Sequence, residues 1–111
     1  MNSVSKTSEW VVRIAELEIH AEHLAAYRAL LAEEIAASVA NEPGVLTLQA
    51  VALKDAPEQV RILEIYQDQQ AYERHLKTPH FLAYKSESAA MVKSLRLVPV
   101  DPIRMASKLL D

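Results

Sequence analysis

The side chains of this sequence that could take part in chemistry gather between Glu64 and Tyr84. Glu64 lies in the apolar run Q-V-R-I-L-E-I-Y-Q and shares a strand face with Ile62 and Tyr66. A carboxylate on such a face is costly unless it is paired or protonated. Burial raises its pKa and a neighbouring cation lowers it. It could serve as a base, or orient a histidine; it could equally be half of a buried Glu–His hydrogen bond that only positions a helix. His80 follows Pro79 at the start of a helix, where the positive helix end disfavours imidazolium. A neutral imidazole is what a general base requires, and also what a hydrogen-bonded helix-start residue would be. His75 flanks the stripe made by Tyr72 and Leu76. It reads either as a pocket residue or as a boundary residue bonded to a backbone carbonyl. A helix break separates the two histidines, so their spacing does not fix whether they converge. Tyr66, Tyr72, Phe81 and Tyr84 could line a pocket for a flat aromatic ligand, although core packing is the commoner role of such rings.

Other chemistries are excluded or disfavoured by composition. There is no cysteine, which removes disulfides, thiolate nucleophiles and Cys-based metal sites. The single glycine, Gly44, is incompatible with both glycine-rich nucleotide loops. His20 and His23 form an H-x-x-H around Glu22, but in a polar turn with no further ligand in view, so no metal is expected. The net charge is -3 and no segment collects Lys and Arg into a stripe, which argues against nucleic acid as a partner. No run has the length of a membrane span or a signal-peptide core. The expectation is a cytoplasmic protein that is not bound to a membrane.

The elements that must position these groups follow from periodicity. Glu9–Ile19 reads as a strand. Leu24–Ala40 is an alanine-rich helix whose inner stripe is expected to be Leu24, Tyr27, Leu31, Ile35 and Val39, with Arg28, Glu33 and Glu34 outside. Asn41-Glu42-Pro43-Gly44 ends it. Val45–Leu53 and Gln59–Gln67 read as an antiparallel pair joined by the loop Lys54–Glu58. Asp68 is a helix cap for Gln69–Lys77, and Thr78-Pro79 starts a fresh helix with the stripe Phe81, Tyr84, Ser88, Met91 and Leu95. Leu95–Val100 is the last strand. The order is βαββαβ, an α+β ferredoxin-like pattern with an antiparallel sheet and a split second helical unit. Met1–Ser8 is expected to be a frayed, disordered arm, and residues 9–111 one domain.

Helices on one face leave the other face of the sheet to water or to a partner. The first two strands are apolar on both faces, with Val45, Val51 and Leu53 on one side of the second strand and Leu46, Leu48 and Ala50 on the other. Leaving such a face in water forfeits roughly 25 cal/mol per Å² of apolar area. A homodimer with two sheets face to face, a dimeric α+β barrel, is therefore expected, and the apolar tail after Val100 could cross to the partner.

The segment E-I-Y-Q-D-Q-Q-A-Y-E-R-H-L-K-T-P-H-F-L-A-Y, from Glu64 to Tyr84, resembles the signature of the antibiotic biosynthesis monooxygenase (ABM) family. The matching positions are Glu64, Tyr66, Asp68, Ala71-Tyr72, His75, Thr78-Pro79-His80-Phe81 and Tyr84, together with the turn Glu42-Pro43-Gly44. The resemblance implies a cofactor-independent monooxygenase. A base, His80 or His75 oriented by Glu64, would remove a proton from a quinol, phenol or polyketide-like substrate, and the anion would reduce dioxygen directly. Tyr66, Tyr72, Phe81 and Tyr84 would bind the substrate. The same fold also hosts isomerases of small hydroxy-diones, some of them phosphorylated, for which Arg61, Lys77 and Lys85 would be the cationic candidates; haem degraders; and non-catalytic binding or stress modules.

Overall fold

The computed structural model describes residues 8–109; the expected arm thus lies, except for Ser8, outside the described residues. The chain runs β1 (Val11–Ile19), a 3-10 turn (Ala21–His23), α1 (Leu24–Asn41), β2 (Val45–Leu53), β3 (Ala56–Tyr66), α2 (Gln69–His75), α3 (Pro79–Ser88) and β4 (Val92–Pro99). The strands form one antiparallel sheet in the order β2-β3-β1-β4. This is the expected ferredoxin-like arrangement. No described helix is long and apolar enough to cross a membrane.

Local chemistry sets the helix boundaries. The Asp68 side chain accepts from Ala71 N and caps α2; the Thr78 hydroxyl accepts from Phe81 N and caps α3, with Pro79 in its first turn. The Thr78 hydroxyl also donates to the His75 carbonyl at 2.8 Å, closing the end of α2. The β2–β3 connection is tighter than expected. Lys54 and Asp55 alone make the turn, and β3 starts at Ala56.

Alternation along β1 and β3 sorts the side chains onto two faces. Arg13, Ala15 and Leu17 pair with Glu64, Ile62 and Val60 on the face under the helices. There Ala15, Leu17, Ile19, Val60 and Ile62 meet Tyr27 and Leu31 of α1 and Tyr84 of α3 to form the main core. A second cluster joins Val45, Leu48, Tyr66 and Ala71. Gly44 is essential to it, because a β-carbon at this position would lie 2.5 Å from the Ala71 Cβ.

The phase of α1 differs from expectation. Its buried residues are Tyr27, Leu31, Glu34 and Ser38, while Val39 is 48% exposed. The helix is turned so that Glu34, expected outside, faces the sheet. A register shift between Val45 and Thr47 leaves Leu46 exposed and puts Leu48 in the core. The outer sheet face is also less apolar than expected. Val12, Ile14, Leu63, Ile65 and Val98 occupy one end of β1, β3 and β4, but Glu16, Glu18, Arg61 and Arg96 occupy the other, with Arg96 paired to Glu16 at 3.7 Å. Among the described residues, the tail 100–109 has no regular structure, and Ile103 and Leu109 are exposed.

Candidate functional site

A cavity of about 710 Å³ lies between the helical layer and the sheet. Its floor is apolar: Ala15, Leu17, Leu48 and Ile62. Its wall carries Tyr66, Tyr72, Phe81 and Tyr84, the four rings expected to bind a ligand, so core and pocket roles coincide. Glu34, Glu64 and His75 supply its deep polar groups. Lys85, Leu95 and Leu97 line it as well but are exposed, which places its mouth between α3 and β4. A second, broader groove along α1 and β2 has Arg28 as its one charged wall residue among the described residues; it shares Leu48 but holds none of the aromatic rings, Glu34, Glu64 or His75.

His75 is the centre of the polar cluster. It is buried, at the last turn of α2. Its Nδ1 lies 3.0 Å from Glu42 Oε2 and its Nε2 lies 3.7 Å from Glu34 Oε2. Phe81 packs on its ring at 4.9 Å between centroids, and Tyr66 at 5.3 Å. The Ser38 hydroxyl donates to Glu34 Oε2 at 2.7 Å and fixes that carboxylate. Since a carboxylate only accepts, the Nδ1 that meets Glu42 carries the proton, which leaves Nε2 directed toward Glu34 and the cavity. His80 reaches the same Glu42 oxygen from α3, its Nε2 at 2.5 Å, and does not line the cavity. The helix break therefore brings the two histidines to a single carboxylate. Donor atoms of Glu34, His75 and His80 lie within 4.8 Å of one another.

Glu64 accepts a 3.0 Å hydrogen bond from the Tyr66 hydroxyl rather than from either histidine. Burial raises its pKa; the Tyr66 hydrogen bond, Arg13 and His75 oppose the rise. Arg13 stands opposite Glu64 on β1, donates to the Tyr72 hydroxyl at 2.9 Å and lies 4.0 Å from the centre of that ring. Burial also raises the pKa of Tyr66, Tyr84 and Tyr27, so all three stay protonated; the Tyr27 and Tyr84 hydroxyls meet at 2.6 Å.

Three members of the site escaped the sequence reading. Glu34 reads as part of the outer face of the first helix, Glu42 as part of a helix stop, and Arg13 carries no signal of its own in the sequence. The Glu42-Pro43-Gly44 turn was the one available signal for Glu42. Of the cations considered for a phosphate, Arg61 is on the outer sheet face, Lys77 is not among the cavity-lining residues, and Lys85 stands at the mouth. His20 and His23 stay in the turn before α1, away from this cluster.

Residues 10–87 match the antibiotic biosynthesis monooxygenase family. The chain belongs to that family. Among solved structures, it is similar to a protein of Bacteroides thetaiotaomicron VPI-5482 that carries the provisional description antibiotic biosynthesis monooxygenase. The identity is 43%, over 94% of this chain and 99% of the other, with a TM-score of 0.89. A protein of Lactobacillus acidophilus NCFM, provisionally described as a monooxygenase, is 28% identical over 82% of this chain and 43% of its own, with a TM-score of 0.81. A Caulobacter crescentus CB15 structure at 22% identity, covering 86% of this chain and 92% of its own, shares the fold with a TM-score of 0.80. No curated protein matches the sequence. The ABM assignment fits a small-molecule cavity flanked by a hydrogen-bonded histidine.

Proposed function

We propose that this ABM protein is a cofactor-independent monooxygenase of quinols or related phenolic, polyketide-like molecules, and that it works as a homodimer. The observation that carries the reading is the placement of His75. One ring nitrogen is tied to Glu42; the other lies 3.7 Å from Glu34, in the cavity that both residues line together with four aromatic rings. His75 Nε2 takes the hydroxyl proton of the bound quinol. Glu42 holds the ring in the tautomer that can accept it and balances the resulting imidazolium. The apolar walls keep the substrate anion poorly solvated and electron-rich. The anion passes an electron to dioxygen, the radical pair forms a C–O bond, and loss of water leaves the hydroxylated quinone. One oxygen atom goes into the product and the other into water, so the quinol supplies all the reducing electrons.

Glu64 and Tyr66 form a polar wall for a substrate oxygen, and Tyr72, Phe81 and Tyr84 sandwich the ring. Homodimerisation would cover the apolar end of the outer sheet face around Ile14, Leu63 and Val98, with cytoplasmic dioxygen reaching the cavity from the α3–β4 side.

The test is a quinol panel read with an oxygen electrode. Uptake that persists in chelator and falls about 10²–10⁴-fold in His75→Phe is expected. No uptake with any quinol, or uptake indifferent to His75→Phe, refutes the reading. Conversion without oxygen would point instead to an isomerase.

A further inference from the structure

We propose that Glu34, His75 and His80 form a site for one divalent transition-metal ion, and that an ion bound there shuts off proton removal by His75. The three side chains come from α1, α2 and α3, and their donor atoms already lie within 4.8 Å of one another. Ligand atoms around such an ion sit roughly 3–3.5 Å apart, given metal–nitrogen and metal–oxygen bonds of about 2.0–2.2 Å. His75 Nε2 and Glu34 Oε2, at 3.7 Å, are close to that spacing. Two imidazoles and one carboxylate are a donor set that divalent transition metals favour.

The support around the donors is what a metal site needs. A ligating histidine commonly donates its other N–H to a carboxylate, which orients the ring and raises its basicity. His75 Nδ1 has that partner in Glu42 at 3.0 Å. Glu34 is held by the Ser38 hydroxyl at 2.7 Å. Charge favours a cation as well. Glu34 and Glu42 flank two imidazoles; Glu64 lies beyond on β3, and Arg13 of β1 is occupied with Tyr72. Glu34 and His75 are buried, so an ion there is weakly screened. Glu34 and His75 also line the cavity, so an ion held between them would be reached from it.

The inhibitory half of the proposal rests on the monooxygenase reading. An ion on His75 Nε2 occupies the lone pair that would take the quinol proton. The metal-free protein is then the active form, and zinc a brake on it.

The experiment titrates metal-free protein with Co2+, followed by visible absorption, and with Zn2+ by calorimetry, near neutral pH. One ion per chain is expected, with affinity reduced at least about tenfold in Glu34→Gln and in His80→Gln and retained in His23→Gln, which removes the surface H-x-x-H. Circular dichroism identifies any variant that fails to fold, and either of the two site variants suffices. Absence of binding, binding unchanged in both site variants, or binding lost in His23→Gln overturns the site. Oxygen uptake gives the second arm: Zn2+ should suppress it and chelator restore it. Bound Zn2+ with undiminished uptake overturns the brake. A wild-type protein inert toward every quinol refutes the monooxygenase reading, while the titration still decides the metal site.

Discussion

Gly44→Ala tests how the site is assembled. The added methyl would lie 2.5 Å from Ala71 Cβ and 3.5 Å from Ala71 Cα. Carbon atoms rest at about 3.5–4.0 Å, so the first contact is short by roughly 1 Å. Both partners are fixed, one in the turn that leads into β2 and one on α2, and no long side chain can swing aside. Overpacking of this kind costs about 1–3 kcal/mol. For a domain of about 100 residues, 1 kcal/mol lowers the melting temperature by roughly 4–8 °C, so a drop of about 5–20 °C is expected. Relief can come only from α2 moving off Gly44, and α2 carries His75. Glu42, two residues before Gly44, would then lose its 3.0 Å contact with His75, so oxygen uptake should fall with stability. The decisive assay is a double-mutant cycle by urea unfolding. Ala71→Gly alone should cost about 1 kcal/mol, as glycine does inside a helix. Combined with Gly44→Ala it restores one methyl to the contact, and the double variant should match Ala71→Gly rather than the sum of the two. Additive costs, or a Gly44→Ala protein that melts with the wild type, would refute the claim that this close approach seats α2.

Further outcomes follow from the buried polar groups and the outer sheet face. Glu64 has a folded pKa above its ordinary value of 4.5, so the folded state holds that proton more tightly than the unfolded chain. Stability therefore falls as pH rises from about 4.5 through the folded pKa, and Glu64→Gln should flatten that slope in urea melts across pH. Tyr27→Phe removes the 2.6 Å contact with the Tyr84 hydroxyl; it should cost about 1–2 kcal/mol, with Tyr27→Phe/Tyr84→Phe costing less than the two single changes added. Ile14→Lys puts a charge at the apolar end of the outer face, and sedimentation should show single chains where the wild type sediments as a dimer; a wild-type protein that is already monomeric removes the dimer from the proposal.

The order of elements was legible because each carries its own signal. Asp68 caps α2, and Thr78-Pro79 opens α3, as read from residue type alone. The aromatic wall was legible too, since Tyr66, Phe81 and Tyr84 fall on inward steps of their elements. The rotation of α1 was not. Alanine occupies both of its sides, so Leu31 and Ile35 tolerate more than one phase; packing against β2 and α3 selected the phase that buries Glu34 and Ser38. The partners of His75 were hidden for the same reason, since Glu34 and Glu42 approach it from sequence-distant positions that no local period connects. The outer face misled because β1 and β2 were weighed without the charged end that β1, β3 and β4 build together through Glu16, Arg61 and Arg96.

The interruption at Thr78-Pro79 has a consequence for how such a site can diversify. α2 is anchored by Ala71 against Gly44, and α3 by Tyr84 against Tyr27, so the three residues Leu76–Thr78 between them are a coupling between two separately seated parts. Adding or deleting one residue there would shift the start of α3 relative to α2 while Ala71 and Tyr84 keep both helices docked. His80 would then leave Glu42 and another side chain would take its place, giving relatives a way to exchange the group beside His75 without rebuilding the sheet beneath it.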